Sequence, residues 1–292
     1  MEERKVSERG SPMRRRKGAT SCATLIAALA FVSAGSFTGT ARGEPQPPPT
    51  PNAPAPYAQE IPTGTPEGLA EYLTFAFGKM DEYWKNHFKQ QEELTGPSAY
   101  YSLILPGQES VSRCLPEPIQ ANTQNYFYCA ADSWTNAKGT TYTGGIHMPV
   151  GSAMDLRAET SAFAVATVMA HEYGHEVTQE YMTQLNLPGI VQMKDGAPVL
   201  DENGNIIPVK EAELIADCFS GNWAKYAFKQ KMVRNADLGQ AVRALVSAAD
   251  TTIGAHQPHG NKSERTTAFT MGYNTGSPLK CAQQYWVTHP WP

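Results

Sequence analysis

The sequence predicts an α+β fold, mainly helical, with a small antiparallel-containing sheet before the helix that carries the candidate site. Three observations predict it. Apolar residues recur at steps of three and four at Leu69, Leu73, Phe77, Met80, Trp84 and Phe88, and helix-compatible runs span 161–182 and 211–232. Between the first of these and the other two lie short stretches rich in Tyr and Thr, bounded by turn residues, which read as strands. Within the run 161–182 stands His171-Glu172-Tyr173-Gly174-His175, whose two imidazoles share a face only if the segment is helical.

The chain of 292 residues is 41% hydrophobic, enough for one sizeable core, and its formal net charge of −4 gives no reason to expect a nucleic acid partner. The dense basic cluster Arg14, Arg15, Arg16 and Lys17 precedes an apolar run over 23–34 and small residues through 41. That order describes an export signal over 1–41, and the expected location is secreted, periplasmic or cell-envelope. The apolar run is short for a membrane span and is interrupted by Ser and Gly, so a retained anchor is the lesser reading. This N-terminal segment is the sole expected membrane tether. Residues 42–66 are proline-rich, which disfavours helix and sheet interiors, and are expected to be an extended or disordered linker rather than a partner's ligand. The folded domain is expected over 67–292.

Its elements follow in order. Thr65-Pro66 reads as an N-cap and first helical position, opening the helix with the Leu69 to Phe88 stripe. Strands are expected at 99–105, 126–129 and 140–148, with an edge strand able to pair with an extended peptide. Between the two later helices, Pro188-Gly189, Asp195-Gly196 and Asn203-Gly204 mark one or two hairpins. The segment 201–205 is oxygen-rich but lacks the spaced ligands of a calcium loop, and reads as a turn. A further helix is expected from Asp237 to about 252, followed by an irregular tail.

The chemistry concentrates on two helices. His171 and His175 can converge on one zinc ion, with the Glu172 carboxylate reaching the water beside it. The rival account of five such residues is a solvated polar stripe, so a third ligand is needed. Glu213 and Asp217, one turn apart on the next helix, offer one: Glu213 would complete a His, His, Glu set with an open fourth position, and Asp217 would accept the other ring N–H of a ligand histidine. Asp217 stands among Leu214, Ile215, Ala216, Cys218 and Phe219, where an acid without a partner is costly, which argues against simple exposure. Cys22 falls in the export signal. Cys114, Cys129, Cys218 and Cys281 remain, an even number with three possible pairings. Cys114 with Cys129 closes a local loop and Cys218 with Cys281 ties the tail to the Glu213 helix, so this pairing is favoured. A zinc-cysteine site is weaker, since no C-x-x-C occurs.

From about residue 69 to 281 the chain resembles the putative neutral zinc metallopeptidase family. The matching pieces are DEYW at 81–84, YFYCAAD at 126–132, AHEYGH at 170–175, ELIADCFSGNWA at 213–224, PHGNKSER at 258–265 and GYNTGSPLKC at 272–281. The resemblance implies a zincin-like fold, His171, His175 and Glu213 as zinc ligands, and Glu172 as catalytic acid/base. It also brings forward His259 as a donor to the oxyanion, ahead of His256, Tyr173 and His147. The plainer account of His259 is a loop histidine, and of Tyr173 core packing. Two features depart from the family's pattern. A further histidine commonly follows the second motif histidine, where this chain has Glu176, and the stretch 133–148 is longer and richer in Thr and Gly. The expected activity is hydrolysis of peptide bonds in a peptide or protein substrate. The alternative is a zinc-stabilised extracellular binding module without useful catalysis. Asp132 reads as a turn former, and His87 and His289 as ordinary surface or packing histidines.

Overall fold

Residues 41–48, 61–90, 94–187, 189–190, 193–194, 197–198, 209–233, 235–247 and 259–286 are described in this computed structural model. Residues 1–40 of the expected export signal, residues 49–60 of the linker, the 201–205 turn, His256 and His289 fall outside them. The first described element, β1 (Ala41–Arg42), pairs with the domain, and the chain continues along it. Gly43 N–H donates to Glu109 C=O at 2.8 Å, and Gln46 and Tyr101 exchange backbone bonds of 2.8 and 3.1 Å. Residues 41–46 are thus extended, but laid against the domain rather than standing off it as a tether.

Helix α1 (Pro66–Gln90) begins as its sequence signals, with Thr65 Oγ1 accepting from Gly68 N–H at 3.1 Å. Leu69, Leu73, Phe77, Met80, Trp84 and Phe88 are each at most 1% exposed. Burial of each such side chain stabilises the fold by about 1.5–3 kcal/mol relative to exposure.

Five strands follow: β2 (Tyr100–Ile104), β3 (Gln108–Ser110), β4 (Ile119–Gln120), β5 (Phe127–Thr135) and β6 (Thr141–Pro149). They form two three-stranded sheets, β1-β3-β4 and β2-β6-β5. In the second, β2 runs parallel and β5 antiparallel to β6, so β5 is an outer strand with one ladder partner, and its register slips between Cys129 and Ser133. β6 passes directly into α2 (Val150–Glu159), which the sequence pattern does not announce: its first turn follows Pro149 with no side-chain cap.

Ser161 then caps α3 (Ala162–Leu185) by accepting from Ala164 N–H, and Asn186 ends it in the left-handed region. α3 is the central helix. The short strands β7 (Met193–Lys194) and β8 (Ala197–Pro198) pair antiparallel, as the turn at Asp195-Gly196 predicts. Helices α4 (Lys210–Lys229), α5 (Asn235–Ser247), α6 (Lys262–Thr275) and α7 (Pro278–Tyr285) complete the described chain. The last two correct the expected irregular tail. Asn261 and Glu264 form a capping box at the start of α6, and Ser277 caps α7 ahead of Pro278.

Helices α1, α2, α4 and α5 and strands β5 and β6 all contact α3. Aromatic pairs join them, with Phe77 on Tyr173 at 5.2 Å, Trp84 on Phe219 at 5.1 Å and Phe163 stacked on Trp223 at 5.5 Å. The disulfides follow the favoured pairing: Cys114–Cys129 fastens the preceding loop to β5, and Cys218–Cys281 fastens α7 to α4. Among the described residues, no helix is long and apolar enough to cross a membrane.

Candidate metal centre

The site forms where α3 and α4 touch. A Cβ on Gly174 would stand 2.9 Å from Ala216 Cα and 3.0 Å from its carbonyl oxygen, so glycine inside the histidine motif lets the two backbones meet. Because positions four apart share a helix face, that contact sets Glu213 and Asp217 of α4 opposite His171 and His175 of α3.

His171 Nε2 lies 3.2 Å from Glu213 Oε2, and His175 Nε2 lies 3.5 Å from Glu213 Oε1. One ligand atom from each residue falls within 4.8 Å of the others, the single group of this kind among the described residues. Four donors placed tetrahedrally about 2.0–2.1 Å from an ion are about 3.3 Å apart, so the spacing suits one zinc. The rear of the site is equally ordered. Asp217, fully buried, takes His171 Nδ1–H at 2.8 Å, so Nε2, 3.2 Å from Glu213 Oε2, is the ring nitrogen available to a metal once its proton is displaced. Arg265 of α6 then grips both Asp217 oxygens, Nε to Oδ2 at 2.8 Å and Nη2 to Oδ1 at 2.8 Å.

Charge supports the same use. With both imidazoles neutral, as ligation requires, ionised Glu172, Glu213 and Asp217 against the single Arg265 guanidinium leave two surplus negative charges, which a divalent cation balances. Burial holds His175 down to about 4, keeping it a neutral donor. Burial also opposes charge on His171, but the Asp217 carboxylate and its hydrogen bond override it and raise the imidazole to about 10. Burial acts against ionised Glu213 too, and is outweighed by His175 and His171, which hold its carboxyl well below the usual range. The imidazole–carboxylate pairing shows how strongly positive charge is favoured here.

Glu172 lies beside this cluster, 8% exposed. Its Oε2 accepts Tyr128 N–H from β5 at 3.0 Å, and burial pushes its carboxyl up to about 7 against the pull of His171. It opens onto a cavity of about 1000 Å³ bounded by His171, His175, Glu213 and Arg265 and, across from them, by Tyr126, Tyr128 and Ala130. Since Tyr128 N–H points to Glu172, the side of β5 away from β6 borders the cavity.

The remaining candidates separate cleanly. His259 lines the same cavity, close enough for its charge to help lower the Glu213 carboxyl. Tyr173 is fully buried and donates to Asp81 at 3.1 Å, a core residue. His147 is excluded as an oxyanion donor: it is fully buried, stacks on Phe127 at 4.9 Å and bonds Asp132 at 2.9 Å, and it does not line the cavity. Asp132 is likewise no turn former. It sits in β5 at the register slip, taking Arg113 N–H at 2.7 Å as well as the His147 ring. His87 is a packing histidine, bonded to the Tyr181 hydroxyl at 2.9 Å.

Arg265 is the residue that sequence reasoning missed. It ends the PHGNKSER run, and the Asn261–Glu264 capping signal places it in the first turns of a helix, but nothing local pairs it with Asp217. Arg265→Met should lower unfolding stability by about 3 kcal/mol or more, since it strands a buried carboxylate, and should weaken zinc binding about 10–100-fold. Denaturant melts and zinc competition check this. An unchanged midpoint would show that Asp217 is not held by Arg265.

Comparison with known proteins agrees with this geometry. The profile of the family described as "Putative neutral zinc metallopeptidase" matches residues 2–284. The uncharacterized protein YpfJ of Escherichia coli is 27% identical over 167 residues, covering 53% of this chain and 52% of its own length. The uncharacterized protein Rv2575 of Mycobacterium tuberculosis is 32% identical over 139 residues, 41% of this chain and 43% of its own. The chain thus spans about half the length of these curated relatives or less. No solved structure matches significantly.

Proposed function

The chain belongs to the putative neutral zinc metallopeptidase family, and from that membership and the site geometry we propose that it is an exported zinc-dependent peptidase with a zincin-like active site. The observation that carries the reading is Glu172. A zinc held only for structure fills its fourth position with a protein ligand and needs no free acid, whereas here a carboxylate stands beside three donors and opens onto a cavity of about 1000 Å³.

His171, His175 and Glu213 would hold the metal. Bound there, a zinc ion would supply an acidified water and Lewis acidity toward the scissile carbonyl. Glu172 takes the proton of the attacking water and returns it to the leaving amine. Asp217, braced by Arg265, keeps His171 in the tautomer whose Nε2 is free to ligate. The outer edge of β5 offers backbone partners to an extended substrate, and His259 on the cavity wall is the candidate donor to the developing oxyanion. The two disulfides support export to an oxidising compartment.

The test is metal stoichiometry with hydrolysis. Purified protein should carry about one zinc per chain, cleave unstructured protein or quenched fluorogenic peptides, lose that activity to a chelator and regain it with added zinc. A folded protein that binds no zinc overturns the reading.

A further inference from the structure

Glu176 stands one residue past His175 and one turn past Glu172, and the reaction above makes no use of it. Its side chain belongs to a residue only 1% exposed. A carboxylate so buried needs partners, and those it has lie on the sheet side of α3. Oε1 accepts Ser98 N–H at 2.9 Å, and Oε2 and the Tyr128 hydroxyl both lie within 2.8 Å of one point beside Gly144, so carboxylate and phenol are neighbours. Tyr128 therefore meets one helix face twice: its hydroxyl stands beside the Glu176 carboxylate, and its backbone N–H is held by Glu172 Oε2 at 3.0 Å. Residues four apart on α3 deliver both contacts.

The opposite strand is shaped around this meeting. Gly144 of β6 has φ +81, and a Cβ there would stand 2.7 Å from the Tyr128 ring and hydroxyl and 2.8 Å from Glu176 Oε2. Only glycine both adopts that backbone and leaves the space open. The hold has a purpose in the fold. β5 pairs with β6 alone and loses register after Cys129, so its ladder does not by itself set its depth against α3.

We propose that Glu176 is a positioning residue: through the Tyr128 phenol it sets where the edge of β5, and a peptide laid along it, stands relative to Glu172. The substrate half of this inference rests on the peptidase reading; the strand half does not. Glu176 acts through Tyr128 and touches neither the metal donors' cluster nor the reacting atoms.

The experiment compares Glu176→Ala, Glu176→Gln and Tyr128→Phe in the full chain by hydrogen exchange and, on zinc-loaded protein, by kcat and KM. Glu176→Ala and Tyr128→Phe should raise amide exchange over 126–130 about tenfold or more, with 141–149 unchanged, and lower kcat/KM about tenfold at equal zinc content. Glu176→Gln, whose amide oxygen still accepts, should recover most of both. Exchange over 126–130 unchanged in the folded variants overturns the inference, as does kcat/KM equal to wild type. Should Glu176→Ala fail to fold, Tyr128→Phe, which removes one hydroxyl, decides. A wild type that cleaves no peptide defeats the peptidase reading, while the exchange result still decides whether Glu176 places β5.

Discussion

Glu172→Gln is expected to lose peptide hydrolysis by about 10²–10⁴-fold while zinc stays near one per chain. The substitution keeps the shape of the side chain, and its amide oxygen can still accept Tyr128 N–H, the bond that holds Glu172 at 3.0 Å. What is lost is the ability to take a proton from water and pass it on. The three metal donors are untouched, so metal content separates a lost base from a lost site. Folding should not suffer, because burial disfavours the charged carboxylate here, raising it to about 7, and an amide carries no such penalty. Zinc content, melting and initial rates on the same preparation make the comparison. Hydrolysis that survives in Glu172→Gln means that the base lies elsewhere or that the activity is a contaminant's.

Glu213→Ala should empty the site. Its carboxylate lies 3.2 and 3.5 Å from the two imidazole nitrogens and is the sole donor that α4 directs between them. Its removal leaves two ligands, too few for a stable zinc centre, and removes one of the charges that favour a cation there. Affinity should fall more than 100-fold, beyond the 10–100-fold expected when a residue behind a ligand is changed. Asp217→Asn provides that milder case, since it keeps the side chain's size and lessens only the hold on His171. Competition with a chromophoric chelator ranks the three proteins. Full zinc occupancy in Glu213→Ala would remove Glu213 from the centre.

The parts of the site that could be read early are those whose geometry is local. Positions four apart on a helix face one way whatever else the chain does, so His171 with His175, and Glu213 with Asp217, were legible as pairs. The acid inside an apolar run was legible too, because burial of Asp217 demands a partner. The identity of one of those partners was not: Arg265 lies 48 residues from Asp217 and meets it only because α6 packs on α4. His147 and Asp132 went the other way. As isolated residues they suggested a donor and a turn, and pairing of β5 with β6 turned them into a buried couple that does not line the cavity.

Secondary structure divides along the same line. α1 was visible because an apolar stripe over its 25 residues has one reading. α6 lacks such a stripe, and that of α7, Pro278, Cys281, Ala282 and Tyr285, is only eight residues long, so their caps at Asn261 and Ser277 were the signals to follow. α2 carried neither stripe nor side-chain cap, and its helix exists because β6 runs into it and α1 and α3 cover it.

By itself, then, the sequence determined which groups stand together: two imidazoles and an acid on one helix, two carboxylates on another, four cysteines to pair, since residue type and helical period need no tertiary contact to be read. Only the tertiary structure decided what each group faces. The approach of α4 at Gly174, the brace from Arg265 and the depth of β5 against Glu172 and Glu176 depend on burial and on contacts between residues far apart in the chain, and those energies exist only once the elements have packed.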